Sequence, residues 1–336
     1  MPRPIDKSKI SKVLIRSTNW VGDAVMSLPA LESVAANFPE AEITVLARPW
    51  VVPLLKGHPA VSRVMPFAKG RGLFSDLREV IRISRTIRGE GFDLAVLFQN
   101  AIEAAIISFL GGVKNRVGYN TDGRGFLLTH AIKRKREVLE LHQVEYYLWI
   151  LRGMGWKAET RDPEIFLDSE DRRRADTILS SMGFGRGDFV LGLSPGAIYG
   201  PAKRWPPERF AAVADRAAEK WRARVLIFGS EGEKKDAIDL CGQTSLGEAM
   251  GLIRACDLFV TNDSGLMHVA AALKVPLVAV FGSTNPKTTG PRSRKARVVT
   301  HSASCAPCLR KECPTDFHCM LDIQAGEVWE SMEALR

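Results

Sequence analysis

At 336 residues, 46% hydrophobic and 25% charged, the chain is long enough for two ordinary domains and too apolar to be disordered. The opening stretch MPRPIDKSKISKVLI lacks an apolar signal core and no run of 18 apolar residues occurs, so a cytoplasmic address is expected, with the six cysteines as reduced thiols or metal ligands. A net charge of +9 suggests an anionic partner.

Taken in chain order, short β-branched runs alternate with helical periodicity. Strands are expected over 12–16, 42–47, 93–98, 189–193, 224–228, 257–261 and 276–281. Helices are expected over 23–37, 76–88, 142–153, 208–221 and 264–273. Repeated strand-then-helix order implies parallel sheets with right-handed crossovers. The charged segment 161–174, with its Asp-Pro, reads as a linker, giving an α/β protein of two Rossmann-like domains, 1–170 and 171–325, and a last helix over 326–336. Two such domains are expected to meet across a cleft, with ligands beyond the carboxyl ends of the strands.

Three local features of the first domain stand out. The loop RSTNWVGDAVMSLPAL, 16–31, puts Asp23 in the first turn of a helix, where the dipole favours the ionised form. That carboxylate is either a general base or simply a helix-start acid. The basic stretch from Arg63 through Lys69 and Arg71 to Arg88, and the run Lys133-Arg134-Lys135-Arg136, read either as solvated faces or as contacts to lipid headgroups or nucleic-acid phosphates.

In the second domain neither G-x-x-x-x-G-K-[ST] nor a G-x-G-x-x-G after a strand occurs; GFGRGD at 183–188 precedes its strand. Asp-x-Asp, a frequent metal-diphosphate pair, is also missing from the sequence. Phosphate must then rest on helix N-termini and basic side chains. The loop SPGAIYGPAKRWP, 194–206, brings Lys203 and Arg204 to a strand end, either as an exposed pair or as charge for a leaving phosphate. FGSEGEK, 228–234, offers Ser230, Glu231 and Glu233 as ribose contacts or as a plain surface turn. In VTNDSGLMHVAAAL, 260–273, Asp263 or Ser264 caps a helix and Gly265 admits close backbone approach, either as a plain capped helix or as an anion site without a lysine. His268 lies one turn in. Cys241 and Cys256 read as packing residues. The tail CAPCLRKECPTDFHC supplies Cys305, Cys308, Cys313, His318 and Cys319, spaced like a zinc knuckle; a structural zinc and unligated thiols are both open.

STNWVGDAVMSLPAL, GPAKRWP and VTNDSGLMHVAAALKVPLVAVFG, in this order and spacing, closely resemble the ADP-heptose:lipopolysaccharide heptosyltransferases of glycosyltransferase family 9, in particular their type II branch. The resemblance covers essentially the whole chain. It implies a GT-B fold, an N-terminal acceptor domain, a C-terminal donor domain, and inverting, metal-independent transfer with no cofactor for catalysis. By motif match Asp23 is the expected base and Lys203 the diphosphate-contacting lysine. Asp263, Ser264, Gly265, Leu266, Met267 and His268 form the expected donor loop. The implied partners are ADP-heptose, a lipid A-linked inner-core glycolipid, and the inner-membrane surface that carries it. Trp20, Arg63, Arg71, Lys133 and Arg134 are candidate acceptor contacts, and no nucleic acid is expected. The segment 231–243 is shorter than usual for the family, leaving little room for a helix and short strand there. A family member with a different acceptor is the nearest alternative. A zinc-knuckle nucleic-acid-binding module is a further one, against which only Phe317 offers a nearby aromatic for stacking.

Overall fold

The computed structural model describes residues 4–69, 72–185, 187–229 and 238–336, which divide into two compact units, Met1–Phe166 and Leu167–Arg336. In the first unit the strands are β1 (Lys12–Arg16), β2 (Glu42–Ala47), β3 (Arg63–Pro66), β4 (Leu94–Leu97), β5 (Asn115–Tyr119) and β6 (His130–Ile132), all parallel, in the spatial order β3-β2-β1-β4-β5-β6. The second unit repeats the plan with β7 (Val190–Ser194), β8 (Arg224–Ile227), β9 (Ile238–Asp239), β10 (Leu258–Asn262), β11 (Leu277–Phe281) and β12 (Ala296–Thr300), in the order β12-β11-β10-β7-β8-β9.

The central strands carry unbroken apolar runs because helices cover both sheet faces. Val13, Leu14 and Ile15 of β1 and Leu258, Phe259 and Val260 of β10 are essentially sealed. Strand order reverses direction between β1 and β4, and again between β7 and β10. At such switch points the outgoing loops diverge and leave a crevice at the carboxyl edge. Loops 17–20 and 98–101 flank the first, loops 195–206 and 263–264 the second.

Several expectations are revised. The helix read over 23–37 is two, Val21–Met26 and Leu28–Asn37; Pro29 starts the second, and the Ser27 hydroxyl donates to the Ala24 carbonyl at the break. The supposed linker 161–174 already contains the start of the helix Ser169–Ser181. There the Asp168 side chain accepts the Glu170 N–H, and Glu170 and Asp171 complement the dipole. Short as it is, the segment after β8 still yields β9 at the sheet edge. The final helix, Ala325–Glu333, is integral to the second core: Trp329 is buried and stacks on Trp221 at 4.4 Å.

Candidate active site

In the second unit the helix Gly265–Ala272 leaves the carboxyl end of β10. Ser264 caps it, its hydroxyl accepting the Met267 N–H at 3.4 Å. The half-buried Gly265 and Leu266 therefore keep N–H groups for which the helix itself offers no acceptor. Just before them, Asp263 is 5% exposed and its Oδ2 accepts two bonds, from Lys203 Nζ at 2.5 Å and from Thr284 Oγ1 at 2.6 Å. Lys203 also lies over the Tyr199 ring at 4.6 Å. A cation, an anion and a hydroxyl from three separate loops thus converge beside two open amides.

What holds the loops in register is Asn262, which is fully buried. Its Oδ1 accepts the Trp205 N–H at 3.0 Å and its Nδ2 donates to the Pro195 carbonyl at 2.6 Å. One amide side chain thus pins both ends of the loop after β7 to the end of β10. The cysteine-rich tail braces the same loop from outside. The Tyr199 hydroxyl donates to the Leu309 carbonyl at 2.7 Å, Ala202 N–H to the Lys311 carbonyl at 3.1 Å, and Leu309 N–H to the Ser283 carbonyl at 2.8 Å. Gly200, at φ 154°, lies so close to Lys311 that a Cβ would sit 2.4 Å from its carbonyl oxygen. Only glycine fits there.

In the first unit Asp23 is half-buried in the first turn of the helix Val21–Met26, at the carboxyl end of β1. Tyr147, from the helix Gln143–Arg152, donates its hydroxyl to Asp23 Oδ1 at 3.3 Å. Burial first, and then the Asp23 charge, pushes the Tyr147 phenol well above its ordinary value, so it remains a neutral donor. The preceding loop is clamped from below: Asn19 Oδ1 accepts from Arg16 Nη2 at 3.0 Å and from Arg48 Nε at 3.3 Å. Both guanidinium groups are buried beside the Phe67 ring, and Arg48 also pairs with Glu103 at 3.0 Å. Burial, and then the Arg48 charge, pulls Arg16 down to about 9.

Of the residues singled out in the sequence, Lys203, Asp263, Ser264, Gly265 and Leu266 are assembled at one strand edge. His268 is buried in the same helix. Met267 is not available to a ligand: its side chain is in the core and its N–H is taken by Ser264. Arg204 approaches the Ala197 carbonyl within its own loop. Lys133 and Arg134 are exposed just after β6, on the same sheet edge as Asp23, and Trp20 is exposed beside it. Arg63 starts β3, on the opposite, amino-terminal edge, and pairs with Glu90 at 2.9 Å, so it is no acceptor contact beside Asp23. Arg71, Ser230, Glu231 and Glu233 lie outside the described residues.

The five tail residues range from exposed to buried. His318 is exposed, with Nε2 2.7 Å from Asp316 Oδ2, while Cys319 is buried in the core against Gly282. Among the described residues no three Cys, His, Asp or Glu side chains are grouped to hold a metal. The tail thiols are still near one another: burial first, then Cys305, Cys313 and Cys308, push the Cys319 thiol up. Cys241 and Cys256 are buried, the latter donating to the Leu252 carbonyl.

Tyr147, Thr284 and Asn262 were not assigned roles from sequence. Thr284 follows β11 and was findable by the rule that exposed the other loops. Tyr147 sits in a helix of buried aromatics, where nothing local distinguishes it from packing.

Residues 80–318 match the model of glycosyltransferase family 9 (heptosyltransferase). The chain is 31% identical to lipopolysaccharide heptosyltransferase 2 of Escherichia coli (strain K12), over 96% of this chain and 98% of that one. It is 32% identical to the lipooligosaccharide heptosyltransferase 2 of Haemophilus influenzae, covering 85% and 88%. The solved structure of E. coli ADP-heptose lps heptosyltransferase II superposes with a TM-score of 0.80 at 28% identity, covering 96% of this chain and 98% of that one.

Proposed function

This chain belongs to glycosyltransferase family 9, and from that premise we propose that it moves a heptose from ADP-heptose onto the inner-core heptose of a lipid A-linked glycolipid, as a type II heptosyltransferase. The observation that carries the reading is the convergence of Lys203, Asp263 and Thr284 beside the open Gly265 and Leu266 amides, in a chain alike over almost its full length to heptosyltransferases 2.

The diphosphate of the donor rests on those two amides and the positive end of the helix, with Lys203 supplying the full charge. Bound phosphate competes with Asp263 for Lys203; Thr284 keeps the carboxylate satisfied when the lysine turns to the ligand. As the bond from the anomeric carbon to the phosphate oxygen breaks, these donors stabilise the charge building on ADP. No Asp-x-Asp pair occurs in the sequence, and the lysine and amides take the part a metal would play.

Asp23 is the general base. It accepts the proton of the acceptor hydroxyl while that oxygen attacks the anomeric carbon from the side opposite ADP, inverting its configuration. Tyr147 steadies the Asp23 carboxylate through Oδ1. Asp263 is less suited to this task, because its Oδ2 already accepts two short hydrogen bonds.

Among the described residues no helix is long and apolar enough to cross a membrane. A lipid-anchored acceptor would bring the chain to the inner face of the membrane as a peripheral protein, with Lys133 and Arg134 on the Asp23 edge of the sheet as cations for its anionic groups. Incubation with ADP-heptose and heptosyl-Kdo₂-lipid A, followed by mass spectrometry, tests the assignment. A gain of one heptose is expected; an unchanged glycolipid refutes it.

A further inference from the structure

Trp50 is 55% exposed and Trp20 65% exposed, both in loops of the first unit. Scattered exposed side chains are ordinary on a protein surface, but these two are not scattered. Trp50 follows β2 and Trp20 follows β1, neighbouring parallel strands, so both leave the sheet at its carboxyl edge. Trp50 Nε1 donates to the Asn19 carbonyl at 2.7 Å, which places its ring one residue from Trp20. Trp20 in turn is the N-cap residue of the helix that carries Asp23.

Two physical points follow. The polar edge of Trp50 is already spent on backbone, so what it shows to solvent is hydrocarbon and π-face. Its anchor is also rigid: Asn19 is held through Oδ1 by the buried guanidinium groups of Arg16 and Arg48. The Trp50 indole is thus held in place before any ligand arrives, which removes the ordering cost of binding.

Resting on the glycosyl-transfer reading above, we infer that Trp50 and Trp20 form the platform on which the sugar ring of the acceptor stacks beside Asp23. A pyranose shows a patch of C–H groups on one face, and these complement the negative π-face of an indole. Its hydroxyls remain on the rim, one of them free to meet the Asp23 carboxylate. The ligand class is a neutral sugar ring, and the acceptor's anionic groups lie outside this subsite.

The test is steady-state kinetics with the full chain, ADP-heptose and a water-soluble, fully deacylated acceptor glycan, which removes any contribution from membrane partition. Trp50→Ala should raise the acceptor KM by about fivefold or more, the size of one lost aromatic contact, with the ADP-heptose KM within twofold of wild type. Trp50→Phe keeps a ring but loses the Nε1 anchor and should fall between. Phe126→Ala, at a residue 79% exposed elsewhere in the unit, should change neither constant. Quenching of tryptophan fluorescence by the glycan should weaken in Trp50→Ala in parallel with KM. An acceptor KM unchanged in Trp50→Ala, or a donor KM that rises instead, overturns the platform. So does an effect seen only as lost binding to anionic vesicles, which would make the indoles a membrane anchor. A wild-type chain that turns over neither acceptor would instead sink the functional reading.

Discussion

The two candidate carboxylates, Asp23 and Asp263, both stand at the carboxyl end of a central parallel strand, yet their surroundings differ in kind. Asp263 is nearly sealed and tied to a lysine and a threonine. Asp23 is half-buried and meets a neutral phenol. A carboxylate whose oxygen is held by a cation organises charge and position. A neutral O–H, by contrast, positions a carboxylate without bringing a charge of its own. On the function proposed above, the same residue type, on the same kind of strand end, serves two tasks.

Substitution can break this contrast. Asp23→Ala should lower turnover by about 10²–10⁴-fold while leaving ADP affinity, measured by calorimetry, unchanged. Lys203→Ala should lower turnover by about 10²-fold and weaken ADP as well, since it removes charge from the donor side. If both variants lost ADP affinity equally, the division of labour would be wrong. Asn262→Ala leaves the Trp205 N–H and the Pro195 carbonyl without their buried partner and should cost roughly 2–4 kcal/mol in denaturant unfolding, with Lys203 displaced as a consequence.

Tyr147→Phe is the mildest change. Losing one neutral hydrogen bond to Asp23 should reduce turnover by about fivefold. It also carries a pH signature. The folded phenol holds its proton above the pH at which an unfolded tyrosine loses it, so the contribution is intact below about pH 10 and lost as pH rises further. Stability of the wild type should therefore fall more steeply than that of Tyr147→Phe between roughly pH 10 and 11, followed by circular dichroism.

Most of the strands that were legible in the sequence are buried on both faces. Those read over 12–16 and 42–47 match β1 and β2 residue for residue, and the other five lie within one residue at each end. The ones missed include the sheet edges: β3 (RVMP), β6 (HAI) and β12 (ARVVT) carry arginine, histidine or proline because one side of each is open. In the site, the Asp263–Leu266 loop was readable because helix-start chemistry is local: a cap, a glycine and an apolar helix within six residues. Its partners were not. Thr284 lies 21 residues away and Lys203 60, and no short-range pattern reports a hydrogen bond across three loops.

What the chain determined by its residues alone was therefore periodic or local: alternating strands and helices, two α/β units, a Ser-capped helix N-terminus with a glycine in its first turn, and a carboxylate in the first turn of another helix. Hydrophobic period and capping act over a few residues, so they survive in one dimension. Tertiary structure decided the rest. It sent Met267 into the core, put Arg63 on the far edge of its sheet, set His318 beside Asp316, and set Tyr147 against Asp23. Each of these depends on which strand ends lie side by side, and parallel crossovers bring together residues that the sequence keeps far apart.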